Sequence, residues 1–262
     1  MLIPTRNFAI YRVKEGENML LEIEEISSFI KRYQDFTSGL IGDRVSSFVE
    51  CFKNLSSGLE PLKEERQKDQ IENAPDFNIF RILDVADDEN KHSDFLAGLL
   101  TNKGSHGQKK IFLNEFINLL KEKEAKIPEG ELCAIVKREK WTETEPGRID
   151  INIEIRGKTR FAIIIENKIK SPDQEKQLER YYEDAKTRYD DFLLVYLTPY
   201  GEDPSEFSIK PERMEELKKR KELILLSYKY DIAKWIESAK EELKPPHLRQ
   251  TLQMYIETIK EL

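Results

Sequence analysis

Near the start of the chain, apolar residues recur three and four apart: Leu20, Leu21, Ile23, Ile26, Phe29 and Ile30, then Val45, Phe48, Val49 and Phe52, with Gly39 and Gly42 between the groups. This spacing lines apolar side chains along one stripe of a helix and predicts a helical hairpin over 17–53. Gly58 and Pro61 are expected to interrupt it, leaving the charged run KEERQKDQIEN as a solvated helix or a linker before Pro75. The segment DFNIFRILDVADDENKHSDFLAGLL gives two short helical patterns. IFLNEFINLLKEKEAK gives a third, ending before Pro128 and Gly130.

The period then shortens to two. Residues 134–141, 149–156 and 161–166 are β-type runs, with Arg156-Gly157-Lys158-Thr159 as a hairpin turn between the second and third. A helix follows over 173–189, then a strand over 192–198 stopped by Pro199. Strand, helix and strand at this spacing imply a right-handed crossover and a parallel pair. Residues 223–227 form a candidate fifth strand, and 232–239 and 248–262 read as closing helices separated by Pro245-Pro246. The expectation is an α/β protein in two parts: an N-terminal helical extension over 1–75 and a domain with a mixed β-sheet over 76–262.

Composition sharpens this picture. Charged residues make up 35% of the 262 positions and hydrophobic ones 39%, which suits exposed helices around a compact sheet. A net charge of -7 argues against a surface coated in positive charge for nucleic acid. Between Arg156 and Arg180, however, Lys and Arg outnumber Asp and Glu, so the strand region is locally basic. Cys51 and Cys133 lie far apart with no Cys-x-x-Cys spacing, which signals neither a disulfide framework nor a zinc knuckle. No apolar run approaches the ~20 residues of a membrane helix, and the opening MLIPTRNFAIYRVKEGE lacks a signal-peptide apolar block. A soluble cytoplasmic protein without a membrane partner is expected.

The candidate chemistry lies on the second and third strands. Asp150, Asn152 and Glu154 alternate with Ile151, Ile153 and Ile155, predicting one buried face. The next strand, FAIIIENK, is apolar for five residues and then places Glu166 and Lys168 on one face with Asn167 opposite. Charges at the end of so apolar a strand carry a desolvation cost, which sequences accept where ionised groups bind metal or do chemistry. Taken alone, the two residues read equally as a strand-end salt bridge. Asp150 on the neighbouring strand tips the reading, because two carboxylates from paired strands can converge on one hard divalent cation such as magnesium. A lysine beside them can orient or help deprotonate an attacking water while the cation stabilises charge on a phosphodiester.

The segment GRIDI, followed after a hairpin by IIIENK, resembles the Asp…(Glu/Asp)-x-Lys signature of the PD-(D/E)XK nuclease superfamily. Gln177-Leu178-Glu179-Arg180-Tyr181 resembles the Gln-x-x-x-Tyr element of some of its branches, and ENKHSDFLAGLL the Glu-x-x-His-Ser helix of a bacterial branch. GSHG, VKRE and LVYLTPYG resemble that branch too. The resemblance spans about 78–201 and leaves out the N-terminal helices; Ile149 stands where the superfamily's name implies a proline. It implies a restriction-endonuclease-like fold and Mg2+- or Mn2+-dependent hydrolysis of nucleic acid, with DNA the expected substrate. It assigns Asp150 and Glu166 as metal ligands, Lys168 as the catalytic lysine, Glu89 as a further acidic ligand or water-orienting group, and Gln177 and Tyr181 as residues that orient the site or touch substrate. Pro172-Asp173-Gln174-Glu175-Lys176 also spells the signature superficially, but Asp173 is read as a charge at a helix start.

Other features compete for attention. Glu89, His92, Ser93, Leu96 and Leu100 share a helical face, which sets His92 either at the metal site or packed as a structural histidine. A di-iron bundle would need the Glu-x-x-His motif twice, and the chain has only three histidines. Trp141, Tyr196 and Tyr200 are candidates for a nucleic-acid path, although aromatics beside strands are more often core. Two rivals to a nuclease stand: a catalytically silent nuclease-fold module that binds nucleic acid or a protein partner, and a helical scaffold. The apolar stripe over 17–53 gives the N-terminal helices a surface for packing on each other, on the core or on a second copy, hence a possible homo-oligomer.

Overall fold

The computed structural model describes residues 18–37, 42–128, 133–143, 147–157 and 159–262. The expected features at 1–17, Gly39, Gly130 and Lys158 lie outside the described residues. Two compact units divide the chain, Met1–Phe77 and Asn78–Leu262.

The first unit holds α1 (Asn18–Thr37) and α2 (Gly42–Asn73). Contrary to expectation, α2 runs through both Gly58 and Pro61. One proline removes one N–H, and here strong helix formers surround it: Leu59 and Glu60 precede it and Leu62, Lys63, Glu64 and Glu65 follow. Ion pairs at helical spacing, Lys63–Glu60 (2.8 Å) and Lys68–Glu72 (3.9 Å), continue the helix through the charged run. Within this unit Ile26, Phe29 and Phe48 of the apolar stripe are exposed, as are Leu55, Leu62 and Ile71 further along α2.

The second unit begins with α3 (Ile79–Ile82), α4 (Glu89–Leu100) and α5 (Ile111–Glu122). Asn78 caps α3, accepting from the Phe80 N–H (3.0 Å), and its own amide donates to the Met254 carbonyl (2.8 Å). Asp88 caps α4, accepting from the backbones of Asn90 and Lys91. The sheet comprises β1 (Cys133–Trp141), β2 (Arg148–Arg156), β3 (Arg160–Asn167), β4 (Asp191–Thr198) and β5 (Leu223–Ser227), with α6 (Gln177–Arg188) between β3 and β4 and α7 (Pro211–Arg220) between β4 and β5. A π-helical turn, Tyr228–Ile232, leads into α8 (Ala233–Glu241), and α9 (Pro246–Lys260) closes the unit. Strand order follows chain order: β1, β2 and β3 pair antiparallel, while β3, β4 and β5 pair parallel through the crossovers that α6 and α7 supply. No helix among the described residues is long and apolar enough to cross a membrane.

The alternation in β2 predicts one buried face for that strand, and the sheet as a whole is covered on two. Ile151, Ile153, Ile163, Ile165, Val195 and Leu197 pack with Leu96, Phe112, Phe116, Trp235 and Tyr255 from the helices on one side. Ala162, Ile164, Leu194 and Tyr196 pack with Leu178, Tyr181 and Ala185 of α6 and Leu217 of α7 on the other. The cause is β3, apolar at every position from Phe161 to Ile165, a pattern that suits a strand covered on both faces. On the second face β2 is polar, and the buried Asn152 and half-buried Glu154 are reached by Tyr189, whose hydroxyl lies 3.3 and 3.2 Å from them.

Two further expectations change. The helix after β3 starts at Gln177 rather than 173, because Lys176 turns left-handed (φ 52) just before it. Asp173 does not serve that helix start; its carboxylate accepts the Tyr196 hydroxyl (2.9 Å) and the Ser205 N–H (2.8 Å). The helix α7, absent from the periodicity reading, is marked by its ends: Pro211 in the first turn, Glu212 beside it, and Lys218, Lys219 and Arg220 in the last turn.

The double-sided burial of β3 leads to a stability prediction. Replacing wholly buried Ile163 with alanine should cost about 2–5 kcal/mol in denaturant unfolding, since neither face can collapse into the gap. A loss under about 1 kcal/mol would remove β3 from the centre of the core.

Candidate active site

Register brings the first carboxylate to the second. Ile151 pairs with Ile165, so one step further along the antiparallel ladder Asp150 comes alongside Glu166. Asp150 Oδ2 accepts the N–H of Asn167 (2.9 Å), and the Arg138 guanidinium donates to the Asp150 carbonyl. The end of β3 is tied to β4 in turn, with the Lys168 N–H donating to the Leu197 carbonyl (2.8 Å).

Glu166 is 2% exposed, and Lys168, just past the strand end, is 9% exposed. Glu166 Oε1 accepts from the Lys168 Nζ (2.9 Å) and the Gln177 Nε2 (2.5 Å), and the Tyr181 hydroxyl is a further polar neighbour of the carboxyl. The orientation of the Gln177 amide is set from behind, because its oxygen accepts the Gln174 N–H (3.2 Å). Glu166 Oε2 is buried without a hydrogen-bond partner. A carboxylate oxygen left so costs free energy unless a ligand satisfies it. Burial, reinforced by the Asp150 charge, pushes the Glu166 carboxyl up to about 8. Burial likewise raises Asp150, against the opposing pull of the Asn167 N–H and Lys168. Burial works to lower Lys168, but Glu166, Glu89 and Asp150 outweigh it and hold its ammonium above the ordinary lysine value.

Asn167, between the two charged residues and pointing the other way, is 1% exposed and fully used. Its Nδ2 donates to the Glu89 carbonyl (2.9 Å) and Ser93 Oγ (3.0 Å), and its Oδ1 accepts the Tyr228 hydroxyl (2.9 Å). The first turn of α4 is thereby fastened to the end of β3. Glu89 completes the fastening from the other direction: its Oε1 accepts the N–H groups of Ile169 (2.8 Å), Lys170 (2.9 Å) and Ser171 (2.8 Å). Burial works to raise Glu89, and these backbone donors, Ser171 and Ile169 foremost, outweigh it and hold the carboxyl below its ordinary value.

Glu89, Asp150, Glu166, Lys168 and Gln177 line one open cleft of about 380 Å³, together with Trp141, Gly147 and Arg148. Five of the six residues singled out in the sequence therefore meet at one cleft. The sixth, Tyr181, stands behind it, donating its hydroxyl to the Arg148 carbonyl (2.8 Å) and lying 3.3 Å from Gln177 Nε2. Among the described residues, no three His, Cys, Asp or Glu groups come together to hold a metal by themselves. His92 is structural: it is 3% exposed, with Nε2 2.7 Å from the Ala86 carbonyl and Nδ1 2.8 Å from the Tyr255 hydroxyl. The carbonyl can only accept, so Nε2 carries the hydrogen and Nδ1 accepts from Tyr255. Burial lowers its pKa below the ordinary imidazole value, against the opposing pull of the Ala86 carbonyl, Asp88 and Asp87. Tyr196 is buried, and Tyr200 is exposed beneath the Lys229 ammonium (5.2 Å to the ring centre) and outside the cleft.

Asn167 is the residue whose role was missed. Its signal was present, since an amide on the inward side of an otherwise apolar strand must find partners to be buried. Of the three aromatics offered for a nucleic-acid path, Trp141 is the one that lines the cleft, and it is exposed there although aromatics beside strands are more often core.

A family model described as the PD-(D/E)XK nuclease superfamily matches residues 77–257, a span that includes every residue of the cleft. No curated protein and no solved structure gives a significant match to the chain.

Glu89→Gln tests the clamp on the loop after β3. Its three backbone donors lose a charged acceptor, so the variant should be about 1 kcal/mol less stable at pH 7. Because the folded-state pKa of Glu89 is lowered, its contribution is full above the ordinary value near 4.5 and is lost as pH falls through the lower folded value. Urea unfolding of both proteins at pH 7, 5 and 3 should show the gap closing toward acid; a gap independent of pH would show that charge has no part in it.

Proposed function

The chain belongs to the PD-(D/E)XK nuclease superfamily, and from that premise we propose that it is a metal-dependent nuclease that hydrolyses phosphodiester bonds, with DNA as its substrate. The observation that carries the proposal is the buried Glu166 carboxylate, whose Oε2 has no partner, beside Asp150 in the wall of an open cleft. Asp150 and Glu166 offer only oxygen donors, which hard cations prefer, and magnesium sites commonly use one or two carboxylates with water and substrate phosphate completing the shell. Two carboxylates in an open cleft, with Glu89 at its border, therefore fit Mg2+ or Mn2+. A divalent cation held there supplies Lewis-acid polarisation of the phosphodiester and offsets the charge that develops on it.

The protein groups have separable tasks in this proposal. Lys168 keeps its proton at Nζ and presents N–H donors at the cleft, where they can orient the attacking water or stabilise negative charge growing on the phosphoryl oxygens. Glu166 holds Lys168 in place through Oε1, which leaves Oε2 for the cation. Gln177 fixes the Glu166 rotamer, and Tyr181 fixes the start of β2 and with it Asp150. Glu89 borders the cleft and holds the loop that forms its far wall. Arg148 at the rim adds positive charge for a polyanion.

Asp150→Ala and Glu166→Ala should each abolish Mg2+-dependent cleavage while the folded protein persists, and calorimetry should show weakened cation binding in both. Wild-type binding in either variant would take that residue out of the metal site. Because burial keeps Glu166 protonated up to about 8, cation uptake at pH 7 should displace about one proton. Calorimetry in two buffers of different ionisation enthalpy measures this, and Glu166→Gln should lack it.

Lys168 separates catalysis from mere charge balance. Lys168→Met should retain cation and DNA binding, measured in calcium, yet lose single-turnover cleavage by a factor of about 10² or more. Lys168→Arg should not rescue it, since a planar guanidinium presents different donor geometry and holds its proton more firmly. Cleavage by the methionine variant within about threefold of wild type would reduce Lys168 to a salt-bridge partner.

A further inference from the structure

Trp141 is 68% exposed although it is the largest apolar side chain at the cleft. The backbone that carries it is not loose. On one side the Lys140 Nζ donates to the Tyr189 hydroxyl (2.6 Å) and pairs with Glu154. On the other, the Thr142 N–H donates to the Gly147 carbonyl (3.0 Å) and the Glu143 N–H to Asp184 Oδ1 (2.6 Å), which fastens the strand end to α6. Gly147 permits this closure, since a Cβ there would meet Thr142 Oγ1 at 3.1 Å and the Tyr181 ring at 3.3 Å. In the β1–β2 ladder Trp141 pairs with Arg148, whose guanidinium stands at the same rim in an exposed ion pair with Glu139 (3.1 Å). An indole held out into water on a pinned strand end, next to a cation and across a cleft from an acidic pair and a lysine, has the parts of a nucleotide seat: a flat π-face for a base and a positive charge for its phosphate.

We propose that Trp141 is the stacking platform for an unpaired base of the substrate, so that the cleft selects single-stranded or frayed nucleic acid over intact duplex. The inference rests on the nuclease reading and refines its substrate class. In a duplex the base faces are occupied by their neighbours, so a stacking residue gains contact only where a base is unpaired, at a frayed end, or flipped out of the helix. The cleft, about 380 Å³, has the volume of a small-ligand pocket, which suits one nucleotide at a time. Stacking is indifferent to base identity, so the preference is for strand state and not for sequence.

The chain contains only two tryptophans, and Trp235 is 2% exposed with its Nε1 donating to the Phe112 carbonyl (2.8 Å), which makes Trp141 the fluorescent reporter. In calcium, an oligothymidylate should quench wild-type fluorescence, while a closed circular duplex, which has neither loop nor ends, quenches it far less. Trp141→Ala should weaken oligothymidylate binding, measured by anisotropy of a labelled strand, by about 10-fold and duplex binding by less than threefold. Trp141→Phe should recover most of the loss, and Tyr200→Ala, an exposed aromatic outside the cleft, should change neither. Cleavage in magnesium should follow the same order. Equal losses on both substrates, or none on either, in a wild type that does bind and cleave would overturn the stacking assignment and leave the nuclease reading standing. A wild type that neither binds nor cleaves any nucleic acid would remove both.

Discussion

A carboxylate at the end of a strand that is covered on both faces has to be held by protein rather than by water, and Glu166 is held by donors from two separate stretches of chain. Lys168 lies just past the end of the same strand and Gln177 in the first turn of α6, while Asp150 stands alongside from β2 as a like charge. These neighbours are themselves placed: Gln177 through the Gln174 N–H, Asp150 through the Asn167 N–H, and the start of β2 through Tyr181. Desolvation is the cost that this arrangement offsets, and it offsets it incompletely, since Oε2 has no partner. That residual demand is what the proposed cation, or a proton, would meet.

The opposite side of the same three residues solves a different problem. Asn167 points away from the cleft into the seam between β3, α4 and the π-helical turn, where Glu89, Ser93 and Tyr228 use both its amide groups. Backbone alternation therefore splits Glu166, Asn167 and Lys168 into two charged groups for the cleft and one amide for the fold. The helix fastened by Asn167 returns Glu89, which gathers the three N–H groups just beyond the strand. The loop that would otherwise leave β3 without hydrogen-bonded order is closed by a side chain about eighty positions upstream. The tie is long in sequence and short in space, which is why it joins the helical half of the unit to the sheet half.

How much of this was legible follows from what periodicity can encode. The five strands and the crossover were readable because period-two runs such as RIDINIEIR and unbroken apolar runs such as FAIIIEN are local signals. Asp150, Glu166 and Lys168 were readable because charges at the end of an apolar strand and on its neighbour are conspicuous, whereas Glu89 and Gln177 came from the resemblance to the PD-(D/E)XK superfamily. Partners set by tertiary contact were not readable. Asp173 looked like a helix-start charge until Tyr196 and Ser205 were seen to use it, and α7 has only Met214 and Leu217 to announce an inward face. Pro61 inside α2 went the other way, a strong local breaker overruled by the helix formers around it. Exposure is the least legible quantity: Trp141 and Trp235 are the same residue type at opposite extremes of burial, and nothing local in the sequence separates them.

The charge balance around the cleft bears on the proposed substrate. Glu89, Asp150 and Glu166 face Lys168 and Arg148, so with all groups ionised the cleft itself repels a polyanion, in a chain that is already acidic overall. Burial answers part of that, because Glu166 keeps a proton up to about 8 and so removes one negative charge from the cleft near neutrality. A divalent cation in the proposed site would answer the rest and reverse the sign, exchanging a proton for two positive charges at the position a phosphodiester must approach. On this account cation and nucleic acid bind with positive coupling, each raising the affinity for the other by the same factor, as linkage requires. The acidity of the cleft is then no argument against a polyanionic substrate; it is the condition that makes cleavage depend on the cation for recruitment as well as for chemistry.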